Sequence, residues 1–275
     1  MTDKNYFDIV VVVLVYKNIA VLEDFFASLR LPFPCKVIVV NSFYDTDSEK
    51  LCHRVAETNQ ADYIAIPNKG FSTGNNIGCE HAIQNYKFKY LIVSNSDVVI
   101  NDFSYLQELK QDIAVYAPDT RMLTGHRQNP NIPCNSALYH SLLKCAYKHE
   151  SDFVLRMAHV VNRVNREFYV AYSKLFHKDK MKIFAPHGSF IIFSYQASIL
   201  LMPIFNNEMF LYNEELFLAF HCKQEGVPIY YVPKLKLTHL EGASSTSSSN
   251  SWANHKQSFN VLQQWLNAQN PVILE

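Results

Sequence analysis

The run from Phe7 to Val15 constrains this chain more than any other segment. Apart from Asp8 it is apolar, and most of its residues branch at Cβ. β-Branched side chains suit an extended backbone, and a run without polar alternation cannot leave one face to water. It predicts a central parallel strand covered on both faces. Parallel strands need crossover connections, and the residues that follow supply them. Ile19, Leu22, Phe25, Phe26 and Leu29 fall on one helical side, with Asn18 as the cap and Pro32 and Pro34 as the stop. Cys35–Val40 reads as a second strand, Ser48–Thr58 as a helix and Tyr63–Ile66 as a third strand. The glycine-punctuated stretch Asn68–Gly78 leads into a helix ending near Asn85, and Tyr90–Val93 is a fourth strand. Repeated βα units predict an open α/β sheet, whose ligands bind beyond the carboxyl ends of the strands.

The texture changes between Tyr139 and Lys182. This stretch reads as helical and holds nine Lys or Arg against four Asp or Glu. It is either a solvated helical face or a basic surface turned to an anionic acceptor or lipid head group. Phe184–Phe193 restores the strand pattern. Glu208–Gln224 reads as a helix ended by Gly226, and Ile229–Val232 and Lys236–Leu240 as strands. Ser244–Ser251 is low in complexity and reads as a mobile segment or lid. Trp252–Asn267 forms a helix with Phe259, Leu262, Trp265 and Leu266 on one side. The chain divides accordingly at 1–138, 139–182, 183–243 and 244–275.

Composition narrows the partners. The 275 residues are 48% hydrophobic, enough for a substantial core. Lys plus Arg equals Asp plus Glu at 25 each, which argues against a nucleic-acid partner. None of the six cysteines forms a CxxC pair, so buried, reduced thiols are expected. The amino terminus has no signal-peptide pattern, and no stretch reaches the roughly 18 apolar residues of a membrane span. The expected place is the cytoplasm, with peripheral contact at the inner face of the plasma membrane.

Two segments carry chemistry. Asn68–Gly78 offers backbone N–H groups to a phosphate, and Tyr90–Asp97 ends a buried strand on a polar cluster with one carboxylate. A phosphate-friendly turn beside a strand-end carboxylate is what a nucleotide–metal site needs. A carboxylate there is costly without a partner, which makes Asp97 the leading metal ligand.

Taken in order, VVVLVY, NKGFSTGNNIG, SNSD, HGSFIIF, FLYNEELFL and YVPKLKLTHLEGAS resemble the motifs of family 2 glycosyltransferases with the GT-A fold. Within that family they are similar to the rhamnosyltransferase-like branch of polysaccharide and O-antigen assembly enzymes. The resemblance spans roughly residues 8 to 265. It implies an open, mostly parallel nucleotide-diphospho-sugar transferase sheet flanked by helices, with a helical basic insertion and a C-terminal helix. It implies transfer of a sugar, rhamnose foremost, from a dTDP-, UDP- or GDP-sugar to a hydroxyl of a glycan or lipid-linked glycan, with Mn²⁺ or Mg²⁺.

Site roles follow from the same resemblance. Asn95 stands where the family has the first acid of its Asp-x-Asp pair, and Asn95 and Ser96 join the donor-contacting set. Asp97 and His239 match the metal ligands, with Glu241 nearby. Direct displacement at an anomeric carbon inverts configuration and needs a carboxylate to take the acceptor proton. Glu215 matches that base, with Glu214 as the second choice. Val15, Tyr16, Asn41, Asn68 and Gly70 line the implied donor pocket. Asp45 or Asp47 can substitute for the acid usual at Asn41, or belong to the turn. Asn75 either bonds the nucleotide or caps the helix, and Gly70 and Gly74 admit close approach of a ligand. Gly188 belongs to the floor under the donor sugar, and Lys256, Arg121 or Arg127 can supply charge near the diphosphate. A dinucleotide-dependent dehydrogenase is excluded by order, because no glycine follows the first strand. The remaining alternative is a non-catalytic GT-A scaffold or carbohydrate-binding protein.

Overall fold

The computed structural model describes residues 5–17, 19–109, 112–240 and 251–269. In chain order its elements are β1 (Asn5–Tyr6), β2 (Ile9–Val15), α1 (Ala20–Ser28), β3 (Cys35–Phe43), α2 (Thr46–Thr58), β4 (Asp62–Pro67) and α3 (Gly70–Asn85). There follow β5 (Tyr86–Lys87), β6 (Tyr90–Asn95), β7 (Val98–Asp102), β8 (Val115–Met122), α4 (Ala137–His149) and α5 (Asp152–Leu175). The chain closes with β9 (Met181–Ile183), β10 (Phe190–Ser194), α6 (Tyr195–Leu200), α7 (Glu214–Gln224), β11 (Ile229–His239) and α8 (Ser251–Ala268).

The main sheet is open, in the order β4-β3-β2-β6-β10-β8-β11-β7, with β9 on β11. Its first part is the parallel βα array that the sequence predicts. Beyond β6 it becomes mixed. β10 runs antiparallel to both β6 and β8, β11 is parallel to β8, and β7 is antiparallel to β11.

β2 shows why the apolar run specifies this layout. Period-two alternation sends Ile9, Val11, Val13 and Val15 to one face and Val10 and Val12 to the other, and all six are fully buried. Burying each valine contributes about 1.5–3 kcal/mol. The first set packs with Leu22 and Phe25 of α1 and Cys52 and Val55 of α2. The second meets Cys79 and Ala82 of α3. Gly74 and Gly78 bring α3 down onto the sheet: an added Cβ would lie 2.5 Å from Leu14 Cδ1 and 2.3 Å from Val12 Cγ1, respectively.

Several expectations need correction. Glu208–Asn213 is not helical, since α7 begins only at Glu214. Tyr212 and Asn213 both hold positive φ, 74° and 63°, which no helix accommodates. Phe184–Ser189 is not strand, because its backbone turns to bond Ile132 and Pro133 before β10 starts. Cys134 and Cys145 are exposed, not buried, although all six thiols are free. Asp45 belongs to the turn: its carboxylate caps α2 by accepting from the Ser48 N–H at 2.7 Å. The Asn18 cap, Glu241 and the serine-rich stretch 244–250 lie outside the described residues.

Candidate active site

The carboxyl ends of β2, β3, β4 and β6 lie side by side, since Leu14 pairs with Asn95, Val15 with Asn41 and Asn41 with Ala65. The amino end of β10 joins the same edge, with Phe190 opposite Ser94. So do the carboxyl ends of β8 and β11, where His239 pairs with Met122. All the strand-end residues predicted from sequence therefore share one rim.

Asp97 and His239 meet on it. His239 Nε2 lies 3.1 Å from Asp97 Oδ1, and the Leu240 N–H donates to the Asp97 carbonyl at 2.8 Å. On the other side of the ring, Nδ1 is 2.9 Å from Gln128 Oε1. An imidazole nitrogen and a carboxylate oxygen thus face each other at hydrogen-bond distance. Among the described residues no group of three His, Cys, Asp or Glu could hold an ion. A carboxylate and an imidazole nonetheless suit a divalent ion whose other ligands are substrate phosphate and water. The residues fit a substrate-shared metal, not a closed protein cage.

Glu215 reaches the same place from α7. Its Oε1 accepts the Gly188 N–H at 3.1 Å, and a Cβ on Gly188 would lie 2.9 Å from that oxygen. Gly188 thus makes room for the carboxylate. The neighbouring Ser189 carbonyl accepts the Asn95 N–H at 2.9 Å, joining this turn to the end of β6. Burial pushes the Glu215 carboxyl above its ordinary range. Glu214 is buried, leaves Oε1 without a partner and is pushed up by burial and by the Glu215 charge beside it.

Sequence reasoning missed the residues that brace this cluster. His187 Nδ1 accepts from the Ser189 N–H at 3.2 Å, which puts its proton on Nε2. Burial first, then the His239 and Arg166 charges, lower its pKa to about 3, so it stays neutral. Its N–H donates to Asn129 Oδ1 at 2.7 Å, and its ring centroid lies 5.7 Å from that of His239. Arg166 comes from α5, is buried, and lies within 3.4 Å of His126 Nε2. His187 stands in the HGSF motif, but Gln128, Asn129 and Arg166 carry no local pattern that could have revealed them.

The remaining predicted residues are more dispersed in role. Val15 is buried, and Tyr16 meets Tyr44 edge-on at 6.4 Å with Lys17 over its ring. Asn41 is buried and donates to Tyr63 Oη at 2.9 Å. Asn68 is exposed, and its Oδ1 accepts the Gly70 N–H at 3.0 Å. Ser96 sits half-buried in the turn beside Asp97. Two readings change. Gly70, at φ 88°, is approached by the Phe210 backbone and not left open for a ligand, and Gly74 is closed by Leu14. Asn75 is not a cap, because α3 starts at Gly70; it is fully buried and donates to the Phe71 carbonyl at 3.0 Å. Its Oδ1 has no partner. Lys256 pairs with Glu150 at 2.7 Å, and Arg121 and Arg127 both pair with Asp119.

No protein-family profile matches the sequence, and no curated protein matches it. Solved structures do. GalNAc-T7 with UDP, GalNAc and Mn²⁺ aligns at TM-score 0.58 and 14% identity, over 89% of this chain and 46% of that one. The mannosyltransferase PcManGT from Pyrobaculum calidifontis, in complex with GDP-Man and Mn²⁺, aligns at 0.56 and 14%, over 98% of this chain and 68% of that one. This chain has the GT-A architecture. S. aureus TarS aligns at 0.52 and 13%, over 96% of this chain and 40% of that one. The chain therefore spans less than half of two of these three structures. At such identities the likeness is one of fold, and chemistry has to be argued from this chain's own residues.

Proposed function

We propose that the protein transfers a sugar, with inversion, from a nucleoside-diphosphate donor to a hydroxyl of a glycan or lipid-linked glycan. The observation that carries this reading is the convergence of the Asp97–His239 pair and Glu215 on one rim of a GT-A sheet. A donor laid across the ends of β2, β3 and β4 would bring its diphosphate toward Asp97. Asp97 and His239 would hold a divalent ion there, Mn²⁺ or Mg²⁺, which neutralises charge on the departing diphosphate.

Glu215 is the base. As a carboxylate it takes the proton of the acceptor hydroxyl while that oxygen attacks the anomeric carbon and the nucleoside diphosphate leaves. The Gly188 N–H orients the carboxylate through one oxygen and leaves the other for the acceptor. Glu214, buried beside it in the first turn of α7, has its own carboxyl pushed up by burial and by the Glu215 charge. Neutral His187 lets Ser189 and Gly188 keep their turn without adding a second cation at the metal position. dTDP-rhamnose is the first donor to try, with UDP- and GDP-sugars beside it.

A panel of dTDP-, UDP- and GDP-sugars with Mn²⁺ or Mg²⁺, read by release of nucleoside diphosphate, tests the reading. Turnover of at least one donor supports it. Absence of binding and hydrolysis across the panel would favour the non-catalytic GT-A scaffold.

A further inference from the structure

Helix α5 is inverted. Its buried line runs Ala158, Asn162, Arg166, Val170 and Ser173, more polar than a helix face turned to a core usually is. Its outward line is apolar: Phe153, Met157, Val160, Val164, Phe168 and Leu175 are all exposed. Phe153, Phe168 and Leu175 are 72%, 74% and 73% exposed. At 100° per residue these six lie within an arc of about 80°, along a helix of roughly 36 Å. No other described element leaves so long an apolar stripe uncovered. Such a patch marks a surface made to be covered.

Charge identifies the cover. Arg156, Arg163 and Lys174 fall along one border of the stripe and are exposed. Two acids lie on that side: Glu167 is engaged by Arg127 at 3.6 Å and Arg166 at 3.8 Å, and Asp152, exposed in the first turn, stands against three cations. Two copies of the chain meeting through α5 would thus bring six border cations against two exposed Asp152 side chains and leave most of that charge unmatched. Anionic lipid head groups offer it a plane of them, while acyl chains receive the apolar stripe. The tryptophans of α8 are half-buried against the core instead. Trp265 packs on Phe217 and Trp252 on Tyr147.

We propose that α5 is a docking surface that lies in the head-group layer of an anionic bilayer. No described helix is long and apolar enough to cross a membrane, so the contact is one of lying on the surface. The inference does not depend on the sugar-transfer reading, and its test uses neither donor nor acceptor.

Co-sedimentation of the whole chain with phosphatidylcholine vesicles, with and without phosphatidylglycerol, reads it directly. Binding is expected to the anionic vesicles and to weaken with salt. Arg156→Glu with Arg163→Glu is expected to weaken it at least about tenfold. Val164→Glu with Phe168→Glu is expected to abolish it. All four side chains are exposed, and an unchanged melting temperature shows that the fold survives. Equal, negligible sedimentation with both vesicle types would overturn the proposal. So would binding that both double variants retain, or a concentration-dependent dimer that Val164→Glu with Phe168→Glu dissociates.

Discussion

Glu214 and Glu215 are adjacent, yet they face different surroundings. Consecutive helical residues point about 100° apart, and here one carboxylate meets the Gly188 N–H while the other is buried with an orphan oxygen. Glu215→Gln is therefore expected to lower kcat by about 10²–10⁴-fold with donor KM nearly unchanged. Because the base must be ionised and burial raises its pKa, the rate should climb with pH through a limb above the usual carboxylate range. Glu214 makes a separate prediction about stability. The folded protein holds its proton more tightly than the unfolded chain, so stability is lost as pH rises from the unfolded pKa toward the folded one. Glu214→Gln should stabilise at pH 8 by about 1–2 kcal/mol, or roughly 2–8 °C, and have little effect at pH 4. Melting curves at the two pH values check this; equal curves at pH 8 would mean that the carboxylate carries no burial penalty. The acidic pair itself was legible in the sequence. Which acid meets Gly188 was not, since that depends on where the chain between β9 and β10 turns.

Two elements decide how the rim is held. In α3, Gly78 packs against Val12 and Val40, and a Cβ there would lie 2.3 Å and 2.8 Å from their methyl carbons. Gly78→Ala gains helix propensity of up to about 1 kcal/mol but must push two β-branched residues in a filled core, at about 1–3 kcal/mol. A lower denaturation midpoint with unchanged m is expected, and a higher midpoint would mean that the helix–sheet spacing is slack. The glycines were plain in the sequence, but pattern alone could not tell a glycine that meets a ligand from one that meets a strand. In α8, Ser258 Oγ donates to the Leu211 carbonyl at 2.9 Å, and the His255 carbonyl accepts from Asn213 at 3.3 Å. These bonds pin the positive-φ pair Tyr212 and Asn213 just before Glu215, and the Tyr212 ring stacks on His255 at 3.8 Å. Ser258→Ala should cost about 1 kcal/mol and lower kcat, while leaving donor affinity intact. Unaltered kcat in a measurably less stable protein would detach α8 from the positioning of Glu215. The apolar side of α8 was readable from its spacing. Its bonds to residues some 45 positions earlier were not, because such contacts have no local signature.

At the scale of the molecule, the sheet gathers its chemistry on one edge because every strand that ends or begins there is fixed by its neighbours' register. The β2, β3, β4 and β6 array was legible because β-branched runs and crossover helices are local signals. The mixed half was harder, since β10 and β11 take their direction from long-range pairing and β11 runs through Pro233 as one strand. The outward face of α5 was hidden in the same way. Its basic count left a solvated face and a basic surface turned to an anionic acceptor or lipid both open, because which residues point outward depends on what the helix packs against. The central claim is that Asp97 and His239 hold a divalent ion shared with a nucleoside-diphosphate sugar. Titration calorimetry of dTDP-, UDP- and GDP-sugars, with and without Mn²⁺, on the wild type and on Asp97→Ala tests it most directly. The account predicts that at least one donor binds, that Mn²⁺ strengthens binding by about 10–100-fold, and that Asp97→Ala removes this dependence. Absence of binding by every donor, or binding indifferent to both Mn²⁺ and Asp97→Ala, would contradict it.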